Sequence, residues 1–368
     1  MNRNKPYSKR ILLVTTGISP QIVTETLYKL AVDNQHPFIP TEVHLITTKE
    51  GADKARQALL AEAGGENWFG RLCDDYALPN IKFGPEHIHV IADTEGVFID
   101  DSQCTEHNRA SADFITHKIW EFTRDEDCAL HVSLAGGRKT MSFYTGYALS
   151  LYGRVQDRLS HVLVDLELQN KPDFYYPLPG QTGVTIILSE IPYVRMRCHV
   201  PDRLLNGEVG FQEAVNTIQR FMLPETVVCY KAEQAVELNG LKIKLKTADF
   251  AFYVWMCQRK KQGKPPLCLE QEDFIESYLA VYELYAKTDS DFLEKVKAVA
   301  QAAVQVIGGK KHDPKKNWFW QRKGKVHKAI EDELGKKWAE PFLIKMIEES
   351  GMATYELGLP ASRIEIKR

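Results

Sequence analysis

The segment "HVSLAGGRKTMSFYTG" (residues 131–146) reads as a strand, a turn at two glycines and a helix. Arg138 and Lys139 stand directly after the glycines. Glycine lets a backbone take positive φ angles and approach a ligand closely. The N–H groups at the start of the helix, and the positive end of its dipole, face the same point. Two cations beside such a turn predict an anion site, and phosphate is the expected anion.

Around this segment, strand-like and helix-like stretches alternate. Buried strands are predicted at residues 10–17, 42–48, 86–92, 128–136, 159–168 and 184–196, and helices at 19–32, 51–63, 108–124 and 139–153. Alternation of this kind is typical of βαβ units, whose strands form a parallel sheet. We therefore predict an α/β, Rossmann-like domain with a mainly parallel sheet over residues 1–197.

Ligands of open parallel sheets bind beyond the carboxyl ends of the strands, where the strand order reverses. Two loops are predicted at such ends, "TTGISPQ" (15–21) and "LAGGRKT" (134–140). The first offers the hydroxyls of Thr15, Thr16 and Ser19 and the amide of Gln21, which suit sugar hydroxyls and base edges. A purely structural alternative remains open, because Ser19 also suits an N-cap and a glycine pair can be only a tight turn.

Several common sites are missing from the sequence. "GGRKT" lacks the span of a Walker motif, and the first loop is not GxGxxG, which disfavours an ATPase and a dinucleotide-dependent dehydrogenase. No HExxH motif or metal-spaced carboxylate cluster occurs. The first half is thus predicted to bind phosphate without a metal or a cofactor.

The composition indicates a two-domain protein of the cytoplasm. The chain has 368 residues, is 44% hydrophobic and carries a net charge of −2. No apolar run reaches the roughly 20 residues of a membrane span. Its seven cysteines form no CxxC pair, which argues against a disulfide framework and a zinc site.

Residues 198–368 follow another pattern, and we predict a mainly helical, winged-helix-like domain there. Helices are predicted at 211–222, 247–263 (capped by Thr247), 270–287, 289–307 and 316–334. A hairpin is predicted at 235–246, turning at Asn239-Gly240, and a β-ribbon at 342–360.

Residues 309–328 are strongly basic and also contain Trp318, Phe319 and Trp320. Aromatic side chains among cations can bind single-stranded nucleic acid, and a winged helix can read duplex DNA. The alternative is that the aromatics are core and the lysines a solvated face. A third possibility is a ribonuclease, because Arg322 and His327 have the R-x4-H spacing of the HEPN motif.

Three separated segments resemble one family in order: "TTGISPQIVTETLYKL", "HVSLAGGRKTMSFYTGYALSLYGRVQDRLSHVLV" and "DFYYPLP". They resemble the CRISPR-associated NE0113-type family, whose domain is the CARF (CRISPR-associated Rossmann fold) sensor, over residues 9–195. The resemblance implies a homodimer that binds a cyclic oligoadenylate made by type III CRISPR complexes, and it favours cyclic tetra-adenylate as the ring. Some members, the ring nucleases, cleave this messenger and so switch antiviral signalling off.

The resemblance also implies roles for residues of both loops. Lys139 is expected to stabilise charge on the phosphoryl oxygens and Ser19 to position the ribose or phosphate. The expected ligand contacts are Thr15, Thr16, Gly17, Gln21, Gly136, Gly137, Arg138 and Thr140. A ribose 2′-hydroxyl can attack its own phosphodiester without a metal. Two alternatives stay open: a messenger-gated regulator that binds nucleic acid without cleaving the ring, and a messenger-activated ribonuclease using Arg322 and His327.

Overall fold

The computed structural model describes residues 7–93, 95–99, 104–134, 136–169, 171–200, 202–205, 209–270, 273–285, 291–307, 310–349 and 351–367. The chain forms two compact units. The first comprises Met1–Val200 and Leu204–Val215, and the second Pro201–Arg203 and Asn216–Arg368. The long segment of the first unit ends three residues after the predicted boundary at residue 197.

The first unit alternates strands and helices. Its strands are β1 (Lys9–Thr15), β2 (Glu42–Thr47), β3 (Ile88–Val90), β4 (Cys128–Leu134), β5 (Arg158–Val164) and β6 (Ile186–Glu190). Its helices are α1 (Gln21–Ala31), α2 (Lys49–Leu60), α3 (Trp68–Asp75), α4 (Thr105–Thr123), α5 (Lys139–Tyr152) and α6 (Leu166–Gln169), and α7 (Asp202–Leu205) follows at the boundary between the units.

The six strands form one sheet in the order β3-β2-β1-β4-β5-β6. The first five are parallel, and β6 pairs with β5 in the antiparallel sense. The predicted Rossmann-like α/β fold with a mainly parallel sheet is therefore confirmed. The strand order reverses between β1 and β4, because β2 lies on the other side of β1.

The core of this unit explains why β1 and β4 lie at the centre of the sheet. Residues Ile11–Val14 of β1 are all at most 1% exposed, as expected for a strand covered on both faces. On one face Leu12 and Val14 pack with Leu27 and Leu30 of α1. Burial of each such side chain contributes about 1.5–3 kcal/mol.

Four details of the first unit differ from the sequence prediction. Helix α3 was not predicted, although Asn67 caps it by accepting a hydrogen bond from the Gly70 N–H. The strand predicted at 159–168 ends at Val164, and α6 follows it. The strands predicted at 86–92 and 184–196 are shorter, three and five residues long.

The second unit combines helices with three small sheets. Its helices are α8 (Phe211–Met222, which begins in the first unit), α9 (Thr247–Lys261), α10 (Phe274–Tyr282), α11 (Asp291–Gln301), α12 (Pro314–Leu334) and α13 (Lys336–Ala339). Its strands are β7 (Val227–Tyr230), β8 (Ala235–Leu238), β9 (Leu241–Lys244), β10 (Leu267–Cys268), β11 (Gln305–Ile307), β12 (Lys310–His312), β13 (Ile344–Glu349), β14 (Met352–Leu357) and β15 (Ile364–Lys367).

Helix α9 is the centre of this unit. Every residue from Phe250 to Cys257 is at most 2% exposed, so the helix is covered on all sides. The hairpin β8–β9 turns at Asn239 and Gly240, both with positive φ, as predicted. The predicted β-ribbon is present as β13 and β14, with β10 as a third strand.

The sequence prediction was incomplete here. The small sheet β15-β7-β8-β9 contains two strands that were not predicted. Strand β11 replaces the end of the helix predicted at 289–307 and forms a hairpin with β12. Lys246, not Thr247, is the N-cap residue of α9. The Thr247 hydroxyl donates to the Gln234 side chain instead. The winged-helix assignment stays a prediction.

Among the described residues, no helix combines the length and apolar character needed to cross a lipid bilayer.

Candidate functional site

The loops after β1 and β4 emerge side by side, as predicted. The two strands are parallel neighbours, and Thr15 at the end of β1 is in register with Leu134 at the end of β4. This is the place in the sheet where the strand order reverses, and open α/β sheets bind their ligands there.

The two loops touch through glycines. A Cβ atom on Gly17 would lie 2.9 Å from the Gly137 Cα, and a Cβ on Gly137 would lie 2.7 Å from the Gly17 N. Gly137 also has a φ of +77°, which favours glycine. The backbones therefore approach so closely that only glycine fits without displacement. Ser19 and Lys139 each lie two residues beyond this contact, on their own loops.

Thr16 of the first loop lies directly against the second loop. The Thr16 hydroxyl donates to the Ser19 carbonyl oxygen at 3.3 Å. A Cβ on Gly136 would lie 2.9 Å from that hydroxyl oxygen and 2.5 Å from the Ile22 Cδ1. Gly136, with φ of +76°, thus allows the β4 loop to lie directly over Thr16.

A third loop, after β2, also contributes and was missed in the sequence. The Thr47 hydroxyl donates to the Gly17 carbonyl oxygen at 2.6 Å. A Cβ on Gly51 would lie only 1.9 Å from the same oxygen. The signal was present as a threonine at the end of the second strand and a glycine in the helix after it. Which loop they would meet depends on strand pairing, and the sequence alone does not specify it.

The predicted residues of the first loop have different surroundings. Ser19 is half-buried, and its hydroxyl has no hydrogen bond within the described residues. It does not cap α1, whose N-cap position is Pro20 without a side-chain bond. Thr15 is fully buried and accepts a hydrogen bond from Thr145. The Gln21 amide donates to the Pro172 carbonyl oxygen at 3.3 Å.

The predicted ligand contacts of the second loop are all exposed. They are Gly136, Gly137, Arg138, Lys139 and Thr140. Helix α5 begins at Lys139, so its unpaired N–H groups open onto the loops. Within the described residues, no carboxylate lies within 4.0 Å of the Lys139 ammonium. The Lys139 ammonium and the free N–H groups of the helix start therefore face solvent beside the loop that carries Ser19. This combination of donors suits a phosphate ligand.

Exposed apolar side chains accompany these polar groups. Ile18 is 52% exposed, and Phe143, one turn after Lys139, is 59% exposed. Phe143 stands beside Tyr144 and Tyr147, which both pack against Phe211.

A second polar cluster lies at the opposite, amino end of the strands. Glu42, His44 and His87 have potential metal-ligand atoms within 4.8 Å of one another. His44 bonds to His89 at 2.9 Å and to Glu42 at 3.3 Å, and Glu42 pairs with Lys9 at 3.0 Å. Burial lowers the pKa of His44 to about 4, so it is neutral at pH 7. Glu42 and His44 thus have partners within the chain, and the sequence did not lead us to expect this cluster.

The predicted ribonuclease pair lies in the interior of the second unit. The Arg322 guanidinium donates to the Asp249 carboxylate at 2.7 Å, and both side chains are about one-tenth exposed. His327 accepts the N–H of Ile344 at 3.0 Å, and burial lowers its pKa to about 4. Both side chains are held by partners of their own chain, an arrangement that does not favour the messenger-activated ribonuclease.

The three aromatic residues of the basic stretch (309–328) differ in their exposure to solvent. Trp318 and Phe319 are buried in the core, as the structural alternative expected, whereas Trp320 is 44% exposed.

The comparison with protein families matches most of the first unit and a short part of the second. The family model described as CRISPR-associated protein NE0113 matches residues 19–224, more than half of the chain. Among the curated proteins, none matches. The matched residues include Ser19 and all of the loop 134–140, and they begin just after the Gly17 contact. The chain therefore belongs to the CRISPR-associated NE0113 family.

Proposed function

We propose that the chain binds a cyclic oligoadenylate at the carboxyl ends of β1 and β4 and cleaves it to linear products. The observation that supports this most is the contact between Gly17 and Gly137. It joins a hydroxyl-bearing loop and a cationic helix start into one surface, which is the combination that ribose and phosphate together require.

The ring would bind across two copies of the chain. A cyclic oligoadenylate with an even number of nucleotides has two-fold symmetry, so a C2 dimer offers it the same loops twice. The exposed Ile18 and Phe143 beside the site suit burial in such a contact. All seven cysteines are free, in keeping with a cytoplasmic homodimer that needs no disulfide.

The reaction needs little from the protein. The ribose 2′-oxygen attacks the adjacent phosphorus, its proton leaves to solvent, and the bond to the 5′-oxygen breaks. That oxygen takes up a proton, so the products are a 2′,3′-cyclic phosphate and a 5′-hydroxyl, and no water is consumed. Ser19 holds the ribose and phosphate in line, and Lys139 stabilises the charge on the phosphoryl oxygens.

Neither loop contains a histidine, so neither loop supplies the side chain that most often acts as a general base. In this proposal the rate depends mainly on orientation and charge. We expect slow turnover, because general acid–base groups contribute about 10²- to 10⁴-fold where they are present.

Purified protein incubated with labelled cyclic tetra-adenylate and EDTA tests the proposal. Linear products ending in a 2′,3′-cyclic phosphate are expected. Lys139→Ala should slow their formation by about 10²- to 10³-fold. Lys82→Ala, which changes a lysine at the opposite end of the sheet, should cleave as the wild type does. A stable complex with an intact ring over hours would refute cleavage and favour the regulator that binds without cleaving.

A further inference from the structure

The basic stretch of the second unit carries an exposed aromatic platform. Trp320 is 44% exposed on α12 and packs edge-on against Tyr355 of β14, with ring centroids 5.2 Å apart. The Lys323 ammonium lies 5.3 Å from the centroids of both rings. The indole is thus held in place by two neighbours while nearly half of it faces solvent.

The helix surface beside the indole is open. Residues four apart on a helix are neighbours, and the residue four after Trp320 is Gly324. A Cβ atom there would meet no other atom within 4 Å. The helix surface at Gly324 is therefore open, and a planar group can approach the exposed part of the indole.

Some cations of the same basic stretch have no carboxylate partner. Six cations of the stretch have described side chains: Lys315, Lys316, Arg322, Lys323, Lys325 and Lys328. Lys315 and Lys316 pair with Asp273 and Glu270, and Arg322 with Asp249. Among the described residues, Lys323, Lys325 and Lys328 have no carboxylate within 4.0 Å, and the last two are exposed.

The order of charges along α12 is unfavourable for the helix dipole. Acidic residues stabilise the start of a helix and basic ones its end, by about 0.3–1 kcal/mol each. α12 has the reverse order, with Lys315 and Lys316 in its first turn and Glu331, Asp332 and Glu333 near its end. The helix dipole therefore does not account for the lysines in the first turn, which pair with carboxylates outside the helix.

From these observations we propose that Trp320, with Lys323, Lys325 and Lys328, binds single-stranded nucleic acid by stacking a base on the indole and pairing the lysines with phosphates. Trp320 and Lys328 are about 12 Å apart along the helix axis, so a short stretch of strand reaches both. A duplex keeps its bases inside, and a single exposed indole favours an unpaired base. This surface belongs to the second unit, whereas the proposed ring site belongs to the first.

Fluorescence anisotropy with labelled 20-nucleotide oligouridylate, oligothymidylate and a duplex tests the proposal at low salt. Trp320→Ala should weaken single-strand binding about 5- to 150-fold, and Trp320→Phe, which keeps an aromatic face, should restore most of it. Phe98→Ala, a change of an exposed aromatic in the first unit, is the matched control and should bind normally. Thermal melting shows whether each variant is folded.

The salt dependence of binding tests the role of the lysines. Changing Lys325 and Lys328 together to glutamine should lower the slope of log affinity against log salt by about 1.4, from about 0.7 for each phosphate contact. Comparison of the two single strands decides between RNA and DNA, and either preference supports the proposal.

Failure to bind either single strand would overturn the proposal. So would duplex binding that is tighter than single-strand binding and unchanged in Trp320→Ala. Lys139→Ala should bind single strands as the wild type does, so this result stands or falls independently of ring cleavage.

Discussion

Alanine substitutions at three glycines test the close contact of the two loops. Gly17→Ala would lose stability only through a steric clash. The added Cβ would lie 2.9 Å from the Gly137 Cα, whereas the φ angle of Gly17 is not positive. Gly137 has both a φ of +77° and a 2.7 Å clash with the Gly17 N. Gly180, with φ of +83° and no atom within 4 Å of an added Cβ, is the control for φ alone.

The expected magnitudes follow from these differences. A left-handed backbone costs an alanine about 1–2 kcal/mol, and forcing packed groups apart costs about 1–3 kcal/mol. The free energy of unfolding should therefore fall by about 1–2 kcal/mol in Gly180→Ala and about 1–3 kcal/mol in Gly17→Ala. In Gly137→Ala both costs apply, and the loss should be about 2–5 kcal/mol.

Urea denaturation followed by circular dichroism measures all three variants. The decisive comparison is between Gly137→Ala and Gly180→Ala, which share the backbone penalty. If these two lose the same stability, and Gly17→Ala unfolds at the wild-type urea concentration, the loops do not touch as described and the reasoning is wrong.

Two further predictions concern buried charge. Burial raises the pKa of Glu25 from 4.5 to about 7, so the folded protein keeps a proton that the unfolded chain releases, and stability should fall by roughly 3 kcal/mol as pH rises from about 4.5 to 7. Glu25→Gln should remove that loss, so its melting-temperature advantage over the wild type should be larger at pH 8 than at pH 5; an equal advantage at both would contradict the prediction. Asp249→Ala should cost about 3–5 kcal/mol in urea denaturation, because it leaves the Arg322 guanidinium buried without its partner. The double variant with Arg322→Met should recover part of this, and no recovery would show that the charge is not the cause.

Local patterns predicted much of the first unit. Six strands and four helices follow from alternating apolar stretches and glycine turns, and all of these elements are present with shifted ends. The position of the candidate site followed as well, because two loops at the carboxyl ends of parallel strands must share an edge. The strongest result of this kind is the prediction that loops 15–21 and 134–140 follow neighbouring strands at the same edge of the sheet.

What could not be predicted depends on contacts between distant parts of the chain. β7 pairs with β15, whose residues lie far along the sequence, and each strand is only four residues long. Thr47 and Gly51 meet Gly17 only because β2 lies beside β1. The capping error at Thr247 has a similar cause, since a nearby Gln234 accepts its hydroxyl and removes it from the helix end.

The roles of Ser19 and Lys139 go beyond what either the fold or the family membership establishes. The geometry supports them because each stands two residues past the glycine contact, on loops that form one surface. Whether a ring occupies that surface is a question of binding, which can be measured apart from cleavage.

Titration calorimetry with cyclic tetra-adenylate tests the central claim most directly. A cyclic tetra-adenylate analogue built from 2′-deoxyriboses, which lacks the attacking hydroxyls, keeps the ring intact with the wild-type protein. The account predicts saturable binding with one ring for every two chains, weakened in Gly17→Ala. No binding, or one ring for each single chain, would contradict it.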